Sequence, residues 1–219
     1  MGNSKADAKN TELLKLLAQL RDFIDIYLII GLNVSALHQG AISRAFIGRL
    51  QAMALEALAI SFCKVFEPSN RNDLNSIPGI IQSLRGLLLS EVQREDFAAF
   101  GRKYGNDQHP KVADIYINET FELFRKTHYE SLSRLKDYRD KIGVHSEYGA
   151  VIDSLPSLRE LETLFNFAID FYRLIAESVH NVSTEVIDQK VARGLMRLME
   201  QCGVKNPRSD LPVDEMISS

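Results

Sequence analysis

Tyr138-Arg139-Asp140-Lys141-Ile142-Gly143-Val144-His145-Ser146-Glu147-Tyr148 closes the longest helical pattern in the chain. Upstream of it Phe121, Phe124, His128, Leu132, Leu135 and Ile142 recur at three- and four-residue steps, the spacing of one buried helix face. Arg139 falls four residues past Leu135 and three before Ile142, so it shares that face. A guanidinium keeps its charge, and at such a position it needs an acidic partner, a phosphate or an open cleft. Gly143 marks the helix end, because glycine adopts the left-handed conformation of a C-terminal cap at little cost. In an unbroken helix a spacing of six sets two side chains about 240° apart. A break at Gly143 can fold His145 back towards Arg139.

Working outward, this pattern predicts a helix over 111–142. Between Arg125 and Lys141 it carries six basic and three acidic residues. Most of that charge reads as a solvated face with pairs such as Asp137 with Lys141. Arg134, Lys136 and Lys141 are the candidates for phosphate contacts. Beyond Tyr148 a loop leads to Ser157, an N-cap with Glu160 three residues on. The helix it opens runs over 157–181, with Leu161, Leu164, Phe165, Ala168, Phe171 and Tyr172 on one face. A last helix opens at Ser183 or Thr184 and closes at Gly203.

Towards the N-terminus, Thr11 reads as the N-cap of a first helix reaching Leu37, with a kink at Gly31. A second helix spans 41–66 with a face of Phe46, Leu50, Met53, Ala54, Ala57, Leu58 and Phe62. The polar stretch from Glu67 to Asn75 is a connection. Ser76 caps a short helix containing Ile77, Ile80 and Ile81, and a further short segment covers about 91–104. The organisation is therefore all-α: an up-and-down helical bundle with short extra helices. It forms a single domain over 1–203, followed by a flexible C-terminal tail over 204–219 that holds Pro207 and Pro212 without apolar periodicity.

The chain has 219 residues, a formal charge of -3, six prolines, no tryptophan and two cysteines. That charge excludes a generally basic nucleic-acid coat but leaves room for a local patch. Cys63 and Cys202 sit far apart in helical patterns, which argues against a disulfide framework and for a reducing cytoplasm. No secretory signal is visible, and Met-Gly-Asn-Ser-Lys-Ala lacks the serine or threonine of a myristoylation site at Ala6. The uncharged run Ile26–Ser43 is interrupted by Asn33, Ser35, His38, Gln39 and two glycines, so it is not read as a membrane span. No metal-ligand spacing and no phosphate-binding glycine loop occurs, so no metal and no cofactor is expected. His38 and His128 read as core or boundary residues, and His109 and His180 as surface groups.

An arginine followed after four to six residues by a histidine is a motif of the HEPN superfamily. The wording Tyr-Arg-Asp-Lys-Ile-Gly-Val-His-Ser-Glu resembles its AbiU-like abortive-infection branch, in which a polar residue, here Asp140, follows the arginine. Arg102 to His109 and Arg173 to His180 satisfy the same rule, so context and not spacing singles out Arg139 and His145. The resemblance implies a HEPN-like bundle and a HEPN-type endoribonuclease that cleaves RNA without metal, as a toxin or in antiviral defence. It implies Arg139 for phosphate and transition-state stabilisation, His145 for acid/base work and Asp140 for orienting them, with Glu147 a weaker candidate. It further implies a homodimer whose two motifs face each other, and an antitoxin or a nucleotidyltransferase partner that modifies a tyrosine near the histidine, here Tyr148. Read from the residues alone, Arg139 can instead be held in an ion pair with Asp140, Glu147 or another helix. The alternative function is then a non-catalytic HEPN-like binding or assembly module.

Overall fold

The computed structural model describes residues 4–37, 44–68, 75–143, 155–184, 190–205 and 207. Among the described residues there are nine α-helices: α1 (Ser4–Leu32), α2 (Val34–Leu37), α3 (Arg44–Phe66), α4 (Ile77–Ser83), α5 (Glu91–Lys103), α6 (Ala113–Thr127), α7 (Tyr129–Gly143), α8 (Leu158–Leu174) and α9 (Lys190–Gln201). One π-turn, Ile175–Val179, extends α8. The fold is all-α, and the only extended pairing among these residues is an isolated antiparallel bridge between Leu88 and Val112. The chain divides into two compact units, Met1–Leu17 with Ala59–Val186, and Ala18–Leu58 with Ile187–Ser219.

The first unit is built around aromatic rings. Phe124 stacks on Phe167 with centroids 3.9 Å apart, and Phe66, Phe100, Tyr104 and Phe121 pack around the same pair. Offset and edge-on ring contacts of this kind add to the stabilisation from burying apolar area. α8 presents Leu161, Leu164, Phe165, Phe167, Ala168 and Phe171 to this core, and its start is the one the sequence announces. Ser157 accepts from Glu160 N while Glu160 accepts from Ser157 N at 2.6 Å, so two otherwise orphaned helix donors are bound. Ser76 caps α4 in the expected way, accepting from Gly79 N at 3.2 Å. Ser90 and Gln93 form a second capping box at α5. A Cβ on Gly101 would lie 2.6 Å from the Tyr116 ring and 2.8 Å from the Asn106 carbonyl, so only glycine lets α5 and α6 approach this closely.

Two expectations are corrected here. The helix read over 111–142 is two helices, because His128 leaves helical geometry at φ −107°, ψ 25°. Its N–H still reaches Phe124 O and its carbonyl still accepts from Leu132, so the apolar periodicity passes through the break unaltered. The first helix starts at Ser4, not at Thr11, whose hydroxyl donates back to Asp7 O inside the helix. That first turn escapes an apolar pattern because it buries polar groups instead: Lys9 donates to Gly79 O at 2.9 Å and Asn10 to Tyr172 O at 3.4 Å. The helix read to Asn181 passes into the π-turn after Leu174. It closes with Asn181 in the left-handed region at φ 55°, a conformation asparagine tolerates better than most residues.

In the second unit Ile29, Ile30, Leu37, Ile47, Ala192, Met199 and Val204 form a buried cluster, with Leu195 and Met196 packed against it. The helical pattern expected to reach Leu37 is split, α1 ending at Leu32 and α2 carrying it from Val34 to Leu37. Asn33 causes the break, its side chain donating to Ile29 O at 2.8 Å. Gly203, at φ 88°, closes α9, and Val204 N bonds Met199 O at 3.0 Å, so packing continues one residue into the stretch read as a tail. The residues from 208 onward lie outside the described ones. Arg21 Nε lies 2.9 Å from the fully buried Asp25 Oδ1, and burial raises the Asp25 carboxyl to about 6, the nearby Arg21 charge only partly offsetting it.

On α3 the buried stripe is Ile47, Ala54, Leu58 and Phe62, whereas Phe46 and Met53 of the expected face are 60% and 52% exposed. α3 is apolar nearly all round, so periodicity alone does not choose its inner face. By length and composition Ala45–Phe66 could cross a membrane, with a mean hydropathy of 1.4 in its most apolar window. Leu58, Ala59, Phe62, Val65 and Phe66 of that helix are buried within the protein.

Candidate active site and groove

α7 places the motif arginine at the edge of a buried stripe. Ser131, Leu135 and Tyr138 are buried, and Arg139 follows with its side chain 24% exposed. Its Nε and Nη2 donate to a single oxygen of the next residue, Asp140 Oδ1, at 2.9 and 2.8 Å. Its Nη1 donates to Glu67 Oε1, across 72 residues of sequence. Both carboxylates are part-exposed, Glu67 at 39% and Asp140 at 46%. A guanidinium has five N–H donors. Three are used here, and two have no hydrogen-bond partner among the described residues.

Glu67 is the first residue past α3, and its N–H bonds Cys63 O at 2.8 Å. A helix C-terminus carries partial negative charge and disfavours a carboxylate there. The Arg139 cation offsets both. Burial works against the charge on Arg139, but the bonds to Asp140 and Glu67 outweigh it and move its pKa further up. Arg139 is therefore a permanent cation and neither gives nor takes a proton. Cys63, one turn before Glu67, is buried, and burial pushes its thiol up to about 11 against the lowering effect of Arg139. It is a neutral thiol at physiological pH.

The other candidates are distributed unevenly. Arg134 donates to Glu160 Oε1, to Leu155 O at 3.4 Å and to Glu130 O at 3.4 Å. The expected phosphate contact is thus turned towards the α8 cap. Glu160 also accepts from Ser131 Oγ at 2.6 Å. That bond, the Ser157 cap and Arg134 together hold its carboxyl down at about 2. Lys136 is exposed and Lys141 half-buried. His145, Glu147 and Tyr148 lie outside the described residues.

A groove of about 830 Å³ opens beside this cluster, with Glu67 in its wall. Phe62, Phe66 and Leu135 supply an apolar floor, and Arg125, Lys126, Tyr129 and Lys136 stand around it. The sequence points to the basic excess here but not to Glu67, which reads as the start of a polar connection. Its one local signal is an acid placed between a helix end and Pro68. Of the remaining histidines, His128 packs on Phe124 with ring centroids 4.4 Å apart, and burial lowers its pKa against the raising effect of Glu160. His180, expected at the surface, is half-buried with Nε2 unbonded.

The family described as AbiU2, a HEPN family, matches residues 4–195. No curated protein and no solved structure gives a significant match. The chain belongs to the AbiU2 family of HEPN proteins.

Proposed function

We propose that this HEPN module is a metal-independent endoribonuclease of the toxin or phage-defence type, acting on cytoplasmic RNA as a homodimer. The observation that carries the reading is the state of Arg139. Asp140 fixes its fork through two donors, two further N–H groups have no partner among the described residues, and its carboxylate partners are part-exposed. Arginine binds phosphate oxygens through such a planar fork, and it stabilises the charge that develops as a phosphorane forms.

The reaction exchanges one P–O bond for another, and it needs a base, an acid and a cation from the protein. Imidazole is a base of suitable strength for this step, and His145 takes the 2′-hydroxyl proton as the 2′-oxygen attacks the adjacent phosphorus. Arg139 binds the equatorial oxygens. The bond to the 5′-oxygen breaks, and that oxygen takes a proton from an imidazolium, leaving a 2′,3′-cyclic phosphate and a 5′-hydroxyl. One motif holds one histidine, so a second copy across a twofold axis supplies the acid. An antitoxin or a nucleotidyltransferase acting on Tyr148 is the partner that would silence such a site.

A non-catalytic binding module is the reading that full sequestration of Arg139 by Glu67 and Asp140 would favour. The two remaining donors and the exposure of both carboxylates speak against sequestration. The deciding experiment incubates the pure protein with mixed RNAs in chelator and analyses the ends. Cyclic phosphate termini that disappear in His145→Ala are expected. An inert parent protein would leave the binding module standing.

A further inference from the structure

We propose that the groove beside Arg139 is a nucleobase subsite, which holds one unpaired base of an RNA strand whose phosphate meets the arginine. This rests on the ribonuclease reading for its substrate class, but its residues are distinct from the proposed catalytic ones. Beneath the groove lie the buried Phe62, Phe66 and Leu135, and the half-buried Leu132 and exposed Pro68 offer an apolar surface suited to the flat face of a base. Tyr129 stands at the groove with 69% of its surface exposed, an aromatic ring free to stack. Base–aromatic stacking is the sequence-tolerant way in which proteins hold single-stranded nucleic acid.

The groove wall holds Glu67, Glu122 and Asp137 beside Arg125, Lys126 and Lys136, and pairing decides which charges are left for an occupant. Lys126 and Lys136 are exposed at the groove, from α6 and α7, and neither has an ion-pair or hydrogen-bond partner among the described residues. By contrast Arg125 is already paired with Glu122 at 2.9 Å. Two unpaired ammonium groups flanking an apolar floor suit the phosphates on either side of a base. Carboxylates in the wall can accept from the amino and imino edges of that base. Glu67 joins the two places, since it lines the groove and bonds Arg139. The volume, about 830 Å³, is in the range of small-ligand sites.

The test uses the full chain and a labelled oligonucleotide in which every ribose is 2′-O-methylated, so that no nucleophile is present and binding is read without cleavage. Tyr129→Ala is expected to weaken binding by about 5- to 150-fold, the usual range for one lost stacking partner, while Tyr129→Phe binds like the parent. Lys126→Ala with Lys136→Ala is expected to lower the salt dependence of log K by about 1.4, the value for two contacts to a single strand. Lys111→Ala, at an exposed position outside the groove, is the control and should change nothing. If Tyr129→Ala and the lysine pair bind like the parent while His145→Ala still abolishes cleavage, the subsite is wrong and the ribonuclease reading stands. If the parent cleaves nothing yet binding depends on Tyr129 and the lysines, the subsite stands and the nuclease reading falls. A polyglutamate peptide that competes as well as single-stranded RNA would show an unselective anion patch and overturn the proposal.

Discussion

α7 carries two arginines five residues apart, Arg134 and Arg139, and both bond a glutamate from another part of the first unit. What separates them is the other commitments of each carboxylate. Glu160 already closes the α8 capping box and accepts from Ser131, so Arg134 adds the last partner to a structural node. Removing Glu160 from that node would undo a helix start. The carboxylates of Glu67 and Asp140 have no hydrogen-bonded partner other than Arg139 among the described residues, and both are part-exposed. A phosphate can replace Glu67 at Arg139 without undoing any helix cap. Charge and residue type are the same in the two places. Availability is different, and on the proposed reading it separates an arginine open to a phosphate from one committed to a helix cap.

The comparison breaks most readily at its functional end. Arg139→Ala is expected to reduce RNA cleavage by about 10²- to 10³-fold, the usual cost of one electrostatic stabiliser. Arg139→Lys should fail similarly, since an ammonium cannot reproduce the fork. Helicity by circular dichroism should stay at the parent level in both. Combining Arg139→Ala with His145→Ala should be little worse than either change alone, because groups acting as one unit are not additive.

At the structural end the losses are smaller and fall on stability. Glu160→Ala removes the capping box and the Ser131 and Arg134 bonds together, and about 1–2 kcal/mol of unfolding free energy is expected to go with them. Arg134→Ala leaves the cap in place and should cost about 1 kcal/mol or less. Denaturant unfolding measures both. Cleavage by Arg134→Ala should stay near the parent rate.

The last effects are in pH. The Glu160 carboxyl is held at about 2, below its ordinary value of 4.5. The stability it contributes is therefore present above about 4.5 and is lost as pH falls through 2. Glu160→Gln should flatten that limb of the unfolding profile. Asp25 runs the other way. Burial raises it from 3.8 to about 6, so its contribution is present below 3.8 and is lost as pH rises through 6. An Asp25→Asn variant that kept the parent's slope between those two values would contradict this assignment.

The features the sequence discloses are those with local causes. Ser157 with Glu160, and Ser76, announce helix starts because capping needs only residues within one turn. The all-α class follows from long stretches without breakers. The face of α3 was misread because Phe46, Met53, Ala54 and Leu58 are all apolar, so only the packing partners decide which of them is buried. The break at His128 was missed because its carbonyl and N–H keep their i,i+4 bonds. The pairing of Arg139 with Asp140 is legible in the sequence because the bond joins neighbouring residues. Glu67 stayed hidden because its partner is 72 residues away, and the same distance concealed the groove. The commitment of Arg134 was equally invisible, since periodicity does not tell a free cation from one already bonded.

The most direct test of the account sets Arg134→Ala and Arg139→Ala side by side, measuring the initial rate of RNA cleavage in chelator alongside the unfolding free energy. The account predicts that Arg139→Ala loses the rate and keeps the stability, while Arg134→Ala keeps the rate and loses stability. Equal loss of rate in both, or full activity in Arg139→Ala, would contradict it.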